Sequence, residues 1–262
     1  MSDWTQLSHW LAPHVAAVAL CGLRLLPVCF LCPVFGGPSS PTTVRLGLAL
    51  ALALSLHAAG GVNAPPEATR LWFFGGLALK EVLFGATVGL VAALPFDAAR
   101  TGGRFIDLFR GTSAEAALPG VGTRESAVGN GLYQMLVALA ASSGALPLVL
   151  SAVWRSFGIV RLGGFVPTEA AAMQVVGLAG GAVATGLAIG APVAALALAV
   201  DLALGLASRA APQMRLQEVG TPLKILGGGA LLWLSVGLVC ERLLGSVLAT
   251  DGALHAVLEV AR

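Results

Sequence analysis

Charge is what this sequence has least of. Its 262 residues hold 15 basic and 13 acidic side chains, 11% in all, where a soluble domain carries roughly 25%. With 57% hydrophobic residues and a mean hydropathy of +0.88, the chain cannot cover itself with a solvated surface. It belongs in a membrane, or inside a membrane-bound assembly. The net charge is only +2, and no basic patch carries interleaved aromatics, which excludes nucleic acid as a partner. Residues 1–10 lack the basic start and small-residue cleavage site of a secretory signal, so insertion is expected through internal apolar segments.

Catalytic patterns are missing too. There is no GxSxG, HExxH or P-loop, and no GxGxxG following a strand. His9, His14, His57 and His255 are scattered, and none stands at catalytic spacing from a Ser or Cys. Cys29 and Cys32 form a CxxC without a second pair, while Cys21 and Cys240 stand alone. Four such cysteines read as small buried hydrophobes rather than metal ligands. Neither enzyme activity, a cofactor nor a metal is expected. No internal repeat of the kind that builds many transporters is visible.

What remains is helix. Apolar segments run over 12–35, 43–60, 71–94, 128–153, 168–208 and 222–249, most of them near the ~20 residues that cross a bilayer core. The fifth is too long. Its residues would reach on the order of 60 Å as one helix. Either Gly190-Ala191-Pro192 divides it into two spans or it is no simple lipid-facing helix. Pro27 and Pro33 should break the exit of the first segment, and Pro95 should end or kink the third. Residues 60–66 read as a turn that makes segments two and three an antiparallel hairpin. Ser142-Ser143-Gly144 and Pro147 weaken the fourth. The pairs Gly85/Gly89 and Gly186/Gly190, with Gly177, Gly180 and Gly181, offer faces for close helix contact. The predicted class is all-α, a polytopic membrane protein of helical hairpins.

Eight of the charged residues crowd into 97–125: Asp97, Arg100, Arg104, Asp107, Arg110, Glu115, Arg124 and Glu125. The spacing of Asp97, Arg100, Arg104 and Asp107 puts them on one helical face. The i,i+3 pairs Asp97/Arg100, Arg104/Asp107 and Asp107/Arg110 let that stripe neutralise itself. Beyond Arg110, one proline and several glycines predict a loop. This is either a solvated loop after a self-paired helix or a mobile loop at the mouth of something. Charges within or near the apolar segments form a second set: Arg24, the Lys80-Glu81 pair, Asp201 and the Glu241-Arg242 pair. Each would cost about 2.5–3.5 kcal/mol alone at a helix centre. They must pair, snorkel or face a polar interior. No Asp/Glu/His chain accompanies them as a proton relay requires, which favours ion pairing over an ion path. Residues 209–224 carry Arg209, Arg215 and Lys224 against Glu218, so that loop is expected on the cytoplasmic side.

Three motifs in order then resemble one family. Arg24, Pro33-Val34-Phe35-Gly36, Pro41 and Val44-Arg45 are similar to the N-terminal signature of the FliR/SctT inner-membrane proteins of type III secretion export apparatus. Gly102-Gly103 and Asp107-Leu108-Phe109-Arg110-Gly111 resemble that family's central region. The most specific likeness is Arg209-Ala210-Ala211-Pro212-Gln213-Met214 followed by Pro222-Leu223-Lys224-Ile225. The chain departs from the family at Arg215-Leu216-Gln217 and at Leu118-Pro119, where other residues are common. Asp107 to Gly111 leans toward virulence-type members and Pro222 to Ile225 toward flagellar ones, with the injectisome slightly favoured.

The resemblance implies a single membrane domain over 1–262. Its N-terminal part, 1–160, would carry a central loop, 111–123, and a C-terminal helical hairpin would span 165–262. It implies a place in a closed helical assembly with SctR/FliP-like and SctS/FliQ-like subunits around a protein-conducting pore. Arg110, Gly111, Thr112, Leu118, Pro119, Gly120, Val121 and Gly122 would form the pore plug. Arg209, Pro212, Gln213, Met214, Pro222 and Lys224 would meet other subunits and an SctU/FlhB-like switch protein. Exported polypeptides would be the cargo. The competing expectation is a stand-alone secondary transporter using Asp201, Glu81 and Glu241.

Overall fold

A computed structural model describes residues 2–36, 40–112, 126–210 and 216–260, with 2–9, 71, 145–146 and 216–218 described by backbone alone. Eight α-helices follow one another among them: α1 Ser2–Leu31, α2 Thr42–Gly60, α3 Leu71–Arg110, α4 Ala127–Ser142, α5 Ala145–Ile159, α6 Glu169–Ala210, α7 Leu216–Leu248 and α8 Thr250–Val260. Short 3-10 turns sit at Pro33–Phe35 and Pro66–Thr69. No strand occurs among the described residues, and the fold is all-α as expected. Among the described residues, five helical stretches are long and apolar enough to cross a membrane: Trp10–Leu31, Thr42–Gly60, Trp72–Arg110, Glu169–Ala210 and Val219–Val260.

Proline is less disruptive than its local chemistry predicts. Pro27, Pro95 and Pro192 all lie inside continuous helices. Segment three therefore runs on to Arg110 instead of ending at Pro95, and segment five is one helix, undivided at Pro192. Each proline removes one backbone hydrogen bond, a loss that neighbouring helices and local adjustment absorb in membrane helices. The break in segment four falls at Gly144, whose φ of 76° is a left-handed conformation that glycine adopts without steric cost. That separates α4 from α5. Helix α8 is an addition, since 250–260 shows no long apolar run.

The chain divides into two compact units, each assembled from distant segments. The first comprises 1–94, 143–179 and 248–262. Its core draws Leu20, Leu25 and Val28 from α1, Ala53 and Leu56 from α2, Phe84 and Val88 from α3, Val153 and Phe157 from α5, and Leu254 and Leu258 from α8. Cys21, Cys29 and Cys32 are buried free thiols in that core. Helices α1 and α3 meet along the glycine pair: a Cβ on Gly85 would strike the Arg24 carbonyl, and one on Gly89 would lie 2.9 Å from Val28 Cα.

The second unit comprises 95–142 and 180–247. Here the end of α3 packs on α4 and on α6. A Cβ on Gly186 would stand 2.8 Å from the Ala98 carbonyl oxygen, and one on Gly190 2.6 Å from the Phe105 ring. Both expected glycine pairs thus mark close helix contacts. Gly177, Gly180 and Gly181 differ, having open space where a Cβ would be.

Candidate functional site

The polar end of α3 ties together the described residues on either side of 113–125. Pro95 to Arg110 is helical, so Asp107 and Arg110 project from adjacent turns just before the helix stops at Gly111, whose φ is 70°. Asp107 is 5% exposed, and a buried carboxylate requires several donors. It has them. Thr112 donates its hydroxyl to Asp107 Oδ1 at 3.1 Å. Ser126 donates its hydroxyl to Oδ2 at 2.6 Å, and the Val128 backbone N–H donates to Oδ2 at 3.0 Å.

Ser126 also accepts the Gly129 N–H through its Oγ at 2.8 Å. It thereby caps the first turn of α4, whose free N–H groups require an acceptor. The Asp107 charge sits against that same positive helix end. One carboxylate therefore joins Thr112, the last described residue before the loop, to Ser126, the first after it. The approach is close because Gly103 and Gly129 face each other, where a Cβ on Gly103 would overlap the Gly129 backbone.

Arg110 secures the same helix end to α7. Its Nη2 donates to the Ile225 carbonyl at 3.0 Å, and its stem lies across Gly228, where a Cβ would come within 2.8 Å of Arg110 Cγ. Arg110 Nη1 stands 3.9 Å from Asp107 Oδ1. Among the described residues this is the one expected i,i+3 pair that closes to ion-pair distance. The other pairs of the stripe do not close to that distance. Arg100 instead lies over the Tyr133 ring at 4.2 Å, and Asp107 is committed to Ser126 and Val128. Cross-helix partners displace neighbours on the same helix because they offer donors at a buried site.

Of the expected plug residues, Arg110, Gly111 and Thr112 form this clasp, while Leu118, Pro119, Gly120, Val121 and Gly122 lie outside the described residues. Of the expected contact residues, Arg209 is exposed at the end of α6 and Pro222 is exposed within α7. Pro212, Gln213 and Met214 lie outside the described residues. Lys224 reaches Asp201 at 2.9 and 3.2 Å.

The remaining intramembrane charges sort differently. Arg24 and Glu81 form a fully buried pair at 2.5 Å. Arg24 stacks between Phe84 and Phe157 and donates to the Val160 carbonyl at 2.9 Å, while Glu81 accepts the Gly163 N–H at 2.6 Å. Lys80, beside Glu81 in sequence, is only half-buried, and Glu241 and Arg242 are exposed on α7. Sequence reasoning missed Ser126. Its signal was present, a serine directly before an apolar helical run.

Residues 15–249 match the family described as bacterial export proteins, family 1. The chain is 31% identical over 197 residues to the flagellar biosynthetic protein FliR of Bacillus subtilis, covering 74% of this chain and 75% of that one. It is 29% identical over 233 residues to FliR of Escherichia coli, covering 86% and 87%. It is 32% identical over 186 residues to the Yop proteins translocation protein T of Yersinia pestis, covering 69% and 70%.

Proposed function

Because the chain belongs to family 1 of the bacterial export proteins and is a multi-pass inner-membrane protein, we propose that it is a structural and gating subunit of a type III protein-export channel. In this reading it lines the pore, and residues 111–123 form its plug. The observation that carries the reading is the Asp107 clasp. A loop whose two ends share one buried carboxylate has a fixed base, whatever its middle does. That is the construction a plug requires: an anchored root, with Pro119, Gly120 and Gly122 as hinges beyond it.

The partners in this reading are SctR/FliP-like and SctS/FliQ-like subunits, an SctU/FlhB-like switch protein and the exported polypeptides. Large apolar side chains left uncovered on α7, such as Trp233 at 76% and Leu234 at 73% exposure, support burial against lipid or other subunits. The transporter reading draws less support, because Asp201 is engaged by Lys224 and Glu81 by Arg24. Carboxylates so paired are poorly placed to take up a coupling ion.

Deleting residues 113–123 tests the proposal. With the chain co-expressed beside its neighbouring genes, the assembly should still form, and cells should become permeable to small ions. Intact assembly with tight membranes would overturn the plug role. Failure to form any hetero-oligomer with the neighbours would overturn the export-subunit role itself.

A further inference from the structure

The first unit contains a cavity of about 960 Å³. It opens where α2 gives way to residues 61–65 and where α5 ends. Its wall is apolar, with Trp154 and Phe157, and its polar side chains are two arginines, Arg155 and Arg161, with Asn63 and His255. Among the described residues, no acidic side chain lines it. Asp251 holds Arg155 at 2.6 Å and Glu259 stands 3.5 Å from His255, but neither carboxylate forms part of the wall, and Arg161 has no acidic partner among the described residues.

The rim is fixed. His57 donates from Nδ1 to the Val62 carbonyl at 2.8 Å and accepts at Nε2 from His14 Nδ1 at 2.9 Å. A helix C-terminus ordinarily repels anions, yet at α5 the Ser156 and Val160 carbonyls already receive Arg24.

We infer that this cavity binds the phosphate head of an anionic phospholipid, with Arg161 and Arg155 on the phosphate and the start of an acyl chain along Trp154 and Phe157. The volume suits a ligand of that size. Tryptophan is a side chain that settles at the membrane–water boundary, and a basic pocket between membrane helices is the kind that takes lipid headgroups. The inference rests on the membrane location and is independent of the gating reading.

The test uses the full chain purified in detergent with its co-expressed neighbours. Its unfolding midpoint is followed with dioctanoyl phosphatidylglycerol, dioctanoyl phosphatidylcholine or inorganic phosphate at equal concentrations. The glycerol lipid should raise the midpoint, and the other two should not. Arg161→Gln should require about tenfold more lipid for the same rise, as the loss of one charge-assisted hydrogen bond predicts. Gly158 lines the cavity, and a Cβ there meets nothing within 4 Å, so Gly158→Leu should fill the space, keep the lipid-free midpoint and abolish the rise. Equal shifts with phosphatidylcholine would overturn the anionic preference. Equal shifts with phosphate alone would overturn the lipid assignment. An unchanged response in Arg161→Gln would overturn the site, even if Gly158→Leu failed to assemble.

Discussion

The two units each hold an arginine, a carboxylate and backbone carbonyls in one cluster, but for different ends. In the first unit, Arg24 and Glu81 are 1% and 0% exposed. Their backbone partners come from the end of α5 and from residues 160–163, and two phenyl rings enclose the guanidinium. In the second unit, Asp107 and Arg110 stand on a helix end, and their partners flank a loop. The first cluster locks helices that are already packed. The second joins the described residues on either side of 113–125. Similar chemistry thus gives a core rivet in one place and a latch in the other, and the difference lies in what the chain does between the bonded residues.

The comparison breaks most visibly at Arg24. Removing it strands Glu81 in an apolar core, a change that costs about 3–5 kcal/mol. Arg24→Ala should therefore prevent recovery of the assembly, read as loss of the native complex on gel filtration. The double change Arg24→Met with Glu81→Leu replaces both charges by apolar groups and should restore most of it, since a buried pair is often neutral against a hydrophobic replacement. If the double variant fared no better than Arg24→Ala, the pair would have a role beyond mutual neutralisation.

Asp107→Asn should behave as a latch, with a smaller cost. The amide keeps the shape but loses the charge and part of the accepting capacity, worth about 1–3 kcal/mol for a buried site. The complex should still assemble. Residues 113–125 should become cleavable by added protease at lower enzyme concentration than in the wild type, while α1 to α3 remain protected. Unchanged cleavage would mean that the loop is held by something other than its root.

Much of this was legible beforehand, but unevenly. Span length and the pairs Gly85/Gly89 and Gly186/Gly190 follow from local composition, and the structure uses them as helix contacts. Partner choice was not legible. Glu81 sits beside Lys80 in sequence yet pairs with Arg24, 57 residues away, because adjacent residues on a helix point to different faces. Asp107 could be placed on a helical face, but Ser126 lies 19 residues on, across a loop whose closure no periodicity encodes. Pro33 does follow the end of α1, whereas Pro27, Pro95 and Pro192 lie inside continuous helices. Propensity weighs the lost hydrogen bond, whereas a helix held by its neighbours in an apolar medium has no better alternative than to continue.

A more exposed pair sharpens the comparison from the other side. Lys224 and Asp201 join α6 to α7 at 2.9 Å, but the Asp201 side chain is 54% exposed. An exposed pair contributes about 0–1 kcal/mol, so Lys224→Met should leave the midpoint of the purified complex within a few degrees of wild type. Any larger effect belongs to what lies outside this chain. If Lys224 meets another subunit, as its place after the Pro-Gln motif implies, secretion should fall while stability does not, and Lys224→Arg should rescue it by keeping the charge. A loss of stability that tracks the loss of secretion would make Lys224 one more helix tie, nearer in kind to Arg24 than to Asp107.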